Sequence, residues 1–126
     1  MAAGIRQRVR EGDKPKPTRY FSNKQEKAIA TALGGHQQPN SGATPWAKGD
    51  VVTDKFLLEA KTKTKSSNSI TIQKEWFEKQ KQESAFHGKP YTAIVFSFGP
   101  DEEQHYIIDE ELFQALLEVL ENKETE

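Results

Sequence analysis

The chain contains no cysteine. Disulfide staples and thiolate metal sites are therefore excluded, and a reducing cytoplasm is the expected compartment. It also lacks any apolar run approaching the roughly 20 residues that cross a bilayer. The basic N-terminal residues are followed by no apolar segment, so the pattern of a secretory leader is missing. There is no Gly-rich phosphate loop and no Ser-His-Asp order. The three histidines, His36, His87 and His105, stand too far apart to share metal-ligand spacing and read as surface or local hydrogen-bonding residues. Hydrophobic residues make up only 34% of the 126 positions and charged residues 29%, which fits one modest core with polar extensions.

What is present is charge, unevenly spread. Residues 1–99 carry 17 Lys+Arg against 9 Asp+Glu, whereas residues 100–126 carry one against ten. A near-neutral total thus conceals a basic body, suited to a polyanionic partner, and an acidic end. The N-terminal residues 1–18 read as a flexible basic arm. Arg6, Arg8, Arg10, Lys14 and Lys16 outnumber Glu11 and Asp13 there, and Pro15 and Pro17 interrupt any helix. Residues 19–122 read as a single domain, and residues 123–126 as a disordered acidic tail.

Within the domain, Ser22 and Gln25 have the spacing of a capping box and predict a helix over Ser22–Leu33, ended by Gly34-Gly35. Ile29, Ala30 and Leu33 form its apolar stripe, and Glu26 falls on the same face. Residues 36–47 are rich in turn formers and read as a loop. Asp50-Val51-Val52, a turn at 53–55 and Phe56–Lys61 predict a hairpin. Phe56-Leu57-Leu58 is apolar on both faces, as expected of a central strand. A polar loop at 62–69 precedes a helix over Gln73–Phe86, stopped by Gly88 and Pro90. Tyr91–Phe98 and His105–Ile108 predict two further strands, and Asp109 caps a last amphipathic helix carrying Leu112, Phe113, Leu116, Leu117, Val119 and Leu120. The expected order is α-β-β-α-β-β-α, a small α/β domain with a mixed sheet.

The chemistry concentrates in Gly49-Asp50 and Glu59-Ala60-Lys61. Glu59 and Lys61 are two apart on a strand, so they leave the same face, and Asp50 opens the neighbouring strand beside them. Two unit charges about 4 Å apart repel by roughly 4 kcal/mol at an effective dielectric of about 20. A divalent cation relieves that repulsion, and hard oxygen ligands suit Mg²⁺, with Mn²⁺ able to substitute. Lys61 is then placed to hold a water or balance developing phosphate charge. Glu26, a carboxylate on an apolar helix face, is the natural third acid. The bland alternative is that Asp50 caps a turn and Glu59-Lys61 is an edge-strand ion pair. A bare Glu-x-Lys is a weak signal, since Glu121-Asn122-Lys123 repeats it in the solvated C-terminal region.

At these residues the sequence resembles the PD-(D/E)XK nuclease superfamily, and within it the small archaeal and phage Holliday-junction resolvases. The resemblance runs over roughly residues 19–98. It covers the helix with Glu26, Ser41-Gly42-Ala43, Lys48-Gly49-Asp50-Val51-Val52, Leu58-Glu59-Ala60-Lys61 and Ile70-Thr71-Ile72-Gln73. Gly49 stands where the motif has proline. The resemblance implies a restriction-endonuclease-like sheet flanked by helices, with Glu26, Asp50 and Glu59 as Mg²⁺ ligands and Lys61 as a catalytic residue. It implies Ser41 near the scissile phosphate and Gln73 as the polar residue that often follows the motif. It also implies a homodimer, since a resolvase cuts two strands symmetrically. The expected substrate is branched DNA in a bacterial, archaeal or phage-infected cell. A nuclease for linear or damaged DNA, as in restriction or repair, and a non-catalytic DNA-binding module of the same fold are the competing readings.

Lys48, Lys55, Lys63 and Lys65 flank these acids and, with Arg6, Arg8 and Arg10 of the arm, are candidate phosphate contacts; a solubilising loop is the alternative. Trp76 and Phe77 are expected in the core or at a dimer contact. Trp46 is equally suited to packing over the hairpin or wedging against DNA.

Overall fold

The computed structural model describes residues 15–38 and 50–125, with side chains described as far as Asn122. The expected arm at Arg6, Arg8 and Arg10, and the loop carrying Ser41, Trp46 and Lys48, lie outside the described residues.

Helix α1 spans Thr18–Leu33. It starts a full turn earlier than the capping-box spacing predicts. Pro17, extended at φ −67° and ψ 155°, stands at its N-cap, and no side chain caps it. Ser22 Oγ instead donates to the Arg19 carbonyl at 3.1 Å. The Gln25 amide turns inward and donates to the Lys61 carbonyl at 3.2 Å. The capping box is therefore absent because both of its members have other partners. Gly34 ends α1 at φ +70°, a left-handed conformation that suits glycine. Gly35 is required for a different reason: a Cβ there would fall 2.5 Å from the Val52 carbonyl oxygen.

That close approach seats a strand the sequence reading misses. β1, His36–Gln37, pairs antiparallel with β2, Asp50–Val52, opposite Val52 and Val51. Two polar residues carry no periodicity, so only the pairing identifies them. The order becomes α-β-β-β-α-β-β-α. β2 runs antiparallel to β3, Phe56–Lys61, with Asp50 opposite Glu59. α2, Lys74–His87, then crosses over to β4, Tyr91–Phe96, which lies parallel to β3. β5, His105–Ile107, closes the far edge antiparallel to β4. The five strands follow one another in spatial order β1-β2-β3-β4-β5.

Alternation sorts the side chains onto two faces. Leu58, Ala60, Ala93, Val95 and Val51 pack with Ile29 and Ala30 of α1. Leu57 and Ile94 point the other way and are equally sealed. Each fully buried Val, Leu or Ile contributes about 1.5–3 kcal/mol. β3 and β4 are thus covered on both sides, as the doubly apolar run of β3 predicts. α2 lies on the second face through Trp76, beside Lys61, and through Gln80, which donates to the Ala93 carbonyl at 2.6 Å.

α3 spans Glu110–Thr125, so its backbone continues through 123–125, the start of the expected tail. It begins directly after Asp109, whose carbonyl accepts the Phe113 N–H at 3.0 Å. Leu112 is half-buried, but Phe113, Leu116, Leu117, Val119 and Leu120 are exposed. The amphipathic pattern is there, and beyond Leu112 its apolar stripe is left exposed among the described residues. No helix among the described residues is long and apolar enough to cross a membrane.

Candidate metal and phosphodiester site

The β2–β3 hairpin places two acids side by side. Asp50 and Glu59 are direct cross-strand partners, 2% and 6% exposed. Asp50 Oδ1 and Glu59 Oε2 are buried with no hydrogen-bond partner. Burial, then the negative charges of Glu83, Glu59 and Glu26, push the Asp50 carboxyl up to about 8, with Lys79 opposing. A carboxyl so displaced from its ordinary 3.8 reports a site arranged against its own ionisation.

Lys61 sits on the same face two residues beyond Glu59. Its Nζ lies 3.2 Å from Glu59 Oε1 and 4.4 Å from the centroid of the Trp76 ring. The ammonium is therefore held between a carboxylate and an indole face, an arrangement that fixes a flexible side chain. Trp76 is half-buried and spends one face on Lys61. From this lysine a cleft of about 390 Å³ opens, lined also by Glu75, Trp76, Glu78, Lys79 and Gln82.

Glu26 is inward-facing, as the stripe of α1 predicts, at 7% exposure. Gln37 Nε2 of β1 donates to its Oε1 at 3.2 Å. Burial raises its pKa, with Gln37 and Arg19 opposing. α1 covers the sheet face opposite Asp50 and Glu59, and Glu26 stands on that side, bonded to Gln37 of β1. It is near enough to be one of the charges that raise Asp50. Among the described residues, no three carboxylate or imidazole groups converge closely enough to enclose an ion as they stand.

The remaining expected contacts scatter. Lys63 lines a separate cavity of about 430 Å³ with Phe21, Lys24, Gln25 and Asp101, away from the acids. Lys65 and Lys55 are exposed on loops. Gln73 is exposed at the N-cap of α2, with no side-chain cap bond. His105 stacks on Phe96 with ring centroids 5.4 Å apart, a packing role. The sequence reading missed Glu83 and Lys79 of α2, and Gln37. Glu83 lies seven residues after Trp76 and three after Gln80, on one stripe of the helix. That spacing was available, but the polar run Lys-Gln-Lys-Gln-Glu-Ser around it gives no apolar frame to set the phase. Comparison with protein-family models, with curated proteins and with solved structures finds no match to this chain.

Proposed function

We propose that this chain is a divalent-metal-dependent endodeoxyribonuclease, with branched DNA such as the four-way junction as its preferred substrate and a homodimer as its working form. One observation carries the reading: two carboxylates face each other across a buried strand pair, each with an unpartnered oxygen, beside a lysine clamped in place. An edge-strand ion pair alone would use Glu59 and Lys61 and would leave Asp50 free to be an apolar residue. Hard oxygen donors that are orphaned and dehydrated fit Mg²⁺ or Mn²⁺. Mg²⁺ commonly takes one or two protein carboxylates and completes its shell with water and substrate phosphate, so a pair of acids is sufficient. Asp50 and Glu59 would hold the ion, with Glu26 contributing from the α1 side. Such an ion supplies charge stabilisation of the phosphodiester and a more acidic water.

The chain's own groups then have separate tasks. Lys61 sets a positive charge at the mouth of the cleft, where it orients a water or meets the phosphate oxygen that gains charge. Trp76 keeps that ammonium from swinging into solvent. The basic composition of residues 1–99 supports a polyanionic substrate, and the exposed stripe of α3 supports self-association.

The test is cleavage in Mg²⁺ of matched four-way, flap, linear and single-stranded DNA. Junction substrate should be cut fastest. Asp50→Asn and Glu59→Gln should each fall below about a hundredth of the wild-type rate while still binding DNA, and Glu26→Gln should fall at least about tenfold. Cleavage that persists in Asp50→Asn would sink the assignment. Binding without cleavage by the wild type would turn it into a DNA-binding module.

A further inference from the structure

The two acids of the hairpin do not account for the whole negative cluster. Glu83, on α2, is half-buried as a residue, yet both of its carboxylate oxygens are inaccessible and neither has a hydrogen-bond partner. Asp50, on the sheet face that α2 covers, is 2% exposed and has an orphaned oxygen of its own. Glu83 contributes more to raising the Asp50 pKa than either Glu59 or Glu26 does, and its own pKa is raised by burial and then by Glu59. The charge of Glu83 therefore acts on Asp50, and that of Glu59 on Glu83, across the space between α2 and the hairpin.

The stripe of α2 explains how Glu83 gets there. Trp76 is fixed against Lys61, and Gln80 is fixed by its amide to the Ala93 carbonyl at 2.6 Å and to the Leu57 carbonyl at 3.5 Å. With two points of the stripe pinned to the sheet, the next residue on it is turned inward as well. A helix kept for packing alone would place an apolar or amide side chain there. Lys79, one turn earlier, offsets Glu83 by charge at a distance but makes no hydrogen bond to it.

We propose that Glu83 is a third protein carboxylate of the cation site and closes it from the α2 side, opposite Asp50 and Glu59. This rests on the reading of Asp50 and Glu59 as metal ligands and adds a residue that the motif does not contain. As the side chains stand, the three do not yet converge on one point. The ion itself would draw them in, because each has an oxygen with no other partner to give up.

Mn²⁺ binding to the full chain, followed by electron paramagnetic resonance and by calorimetry without DNA, tests this independently of turnover. Glu83→Gln should weaken Mn²⁺ binding by at least about tenfold, the scale on which losing a metal-site partner acts. Its melting temperature without metal should equal or exceed that of the wild type, because an unpaired buried carboxylate is gone. Added Mn²⁺ should raise that temperature less than it does in the wild type. Glu83→Asp, which keeps the charge, should recover part of the affinity. Unchanged Mn²⁺ affinity in Glu83→Gln, with binding lost in Asp50→Asn, would overturn the role of Glu83 and leave the hairpin site standing. A wild-type chain that binds no Mn²⁺ would overturn both.

Discussion

Asp50 illustrates how far one position can be set against stability. It is buried, it lies opposite Glu59 and feels the charges of Glu83, Glu59 and Glu26, and one of its oxygens has no partner. The folded carboxyl titrates at about 8 against an ordinary 3.8. A carboxyl whose pKa is raised by folding holds its proton more tightly in the folded state. Its contribution is thus most favourable below the unfolded value and is lost as pH rises from about 4 towards 8. Metal-free protein should accordingly be more stable at pH 5 than at pH 8. Asp50→Asn should flatten that slope and add on the order of 1–3 kcal/mol at pH 8, measured by urea unfolding in chelator. A slope unchanged by the substitution would mean that Asp50 is ionised without penalty. The identity of these acids was legible in the sequence because an Asp opening a Val-Val strand and a Glu ending an apolar strand define a register. Glu83 was not, because burial of a carboxylate on a polar helix is decided by tertiary packing.

At the scale of elements, the apolar strands and the two later helices were readable to within a residue or two, whereas β1 and the start of α1 were not. Alternation and doubly apolar runs mark β2, β3 and β4 almost to the residue, because strand burial leaves a period in the sequence. β1 escaped since its two residues gain strand character only from Gly35 lying against Val52. The start of α1 was misplaced because a proline-entered helix needs no side-chain cap, so Ser22 and Gln25 were free to bond elsewhere. α2 has a weak apolar stripe, and among its inward residues Trp76 and Gln80 each meet a particular partner, Lys61 and the Ala93 carbonyl, whereas Glu83 meets none by hydrogen bond. This makes α2 the element on which Lys61 depends. Trp76→Phe keeps a ring of lower cation affinity, and Trp76→Ala removes it. Cleavage should fall modestly in Trp76→Phe and about ten- to a hundredfold in Trp76→Ala, with the loss in kcat rather than KM. Mn²⁺ binding should stay unchanged in both. Equal activity in the alanine variant would show that Glu59 alone positions the lysine.

Across the whole molecule, charge and site are arranged at different scales. The acids form a compact negative focus between α2 and the hairpin. In sequence, the 17 basic residues of positions 1–99 accompany these acids, and ten further acidic residues fall in 100–126, the segment that ends in α3. A polyanion is repelled by the acids and attracted by the basic residues, so affinity and chemistry should be separable. Arg6, Arg8, Arg10 and Lys14 give the clearest case, because they lie at the N-terminal end, before the first described element. Each phosphate contact contributes about 0.9 to the slope of log K against log salt. Deleting residues 1–14 should reduce that slope by up to about 3–4 and weaken binding to junction and linear DNA by similar factors. The single-turnover cleavage rate at saturating enzyme should stay near wild type, since the acids and Lys61 are untouched. Asp50→Asn should do the reverse, with the slope preserved and cleavage lost. Fluorescence anisotropy across a salt series reads the first quantity and quenched-flow cleavage the second. If the truncated chain keeps the full slope, the arm makes no backbone contact, and the basic residues of the folded body carry the electrostatics alone.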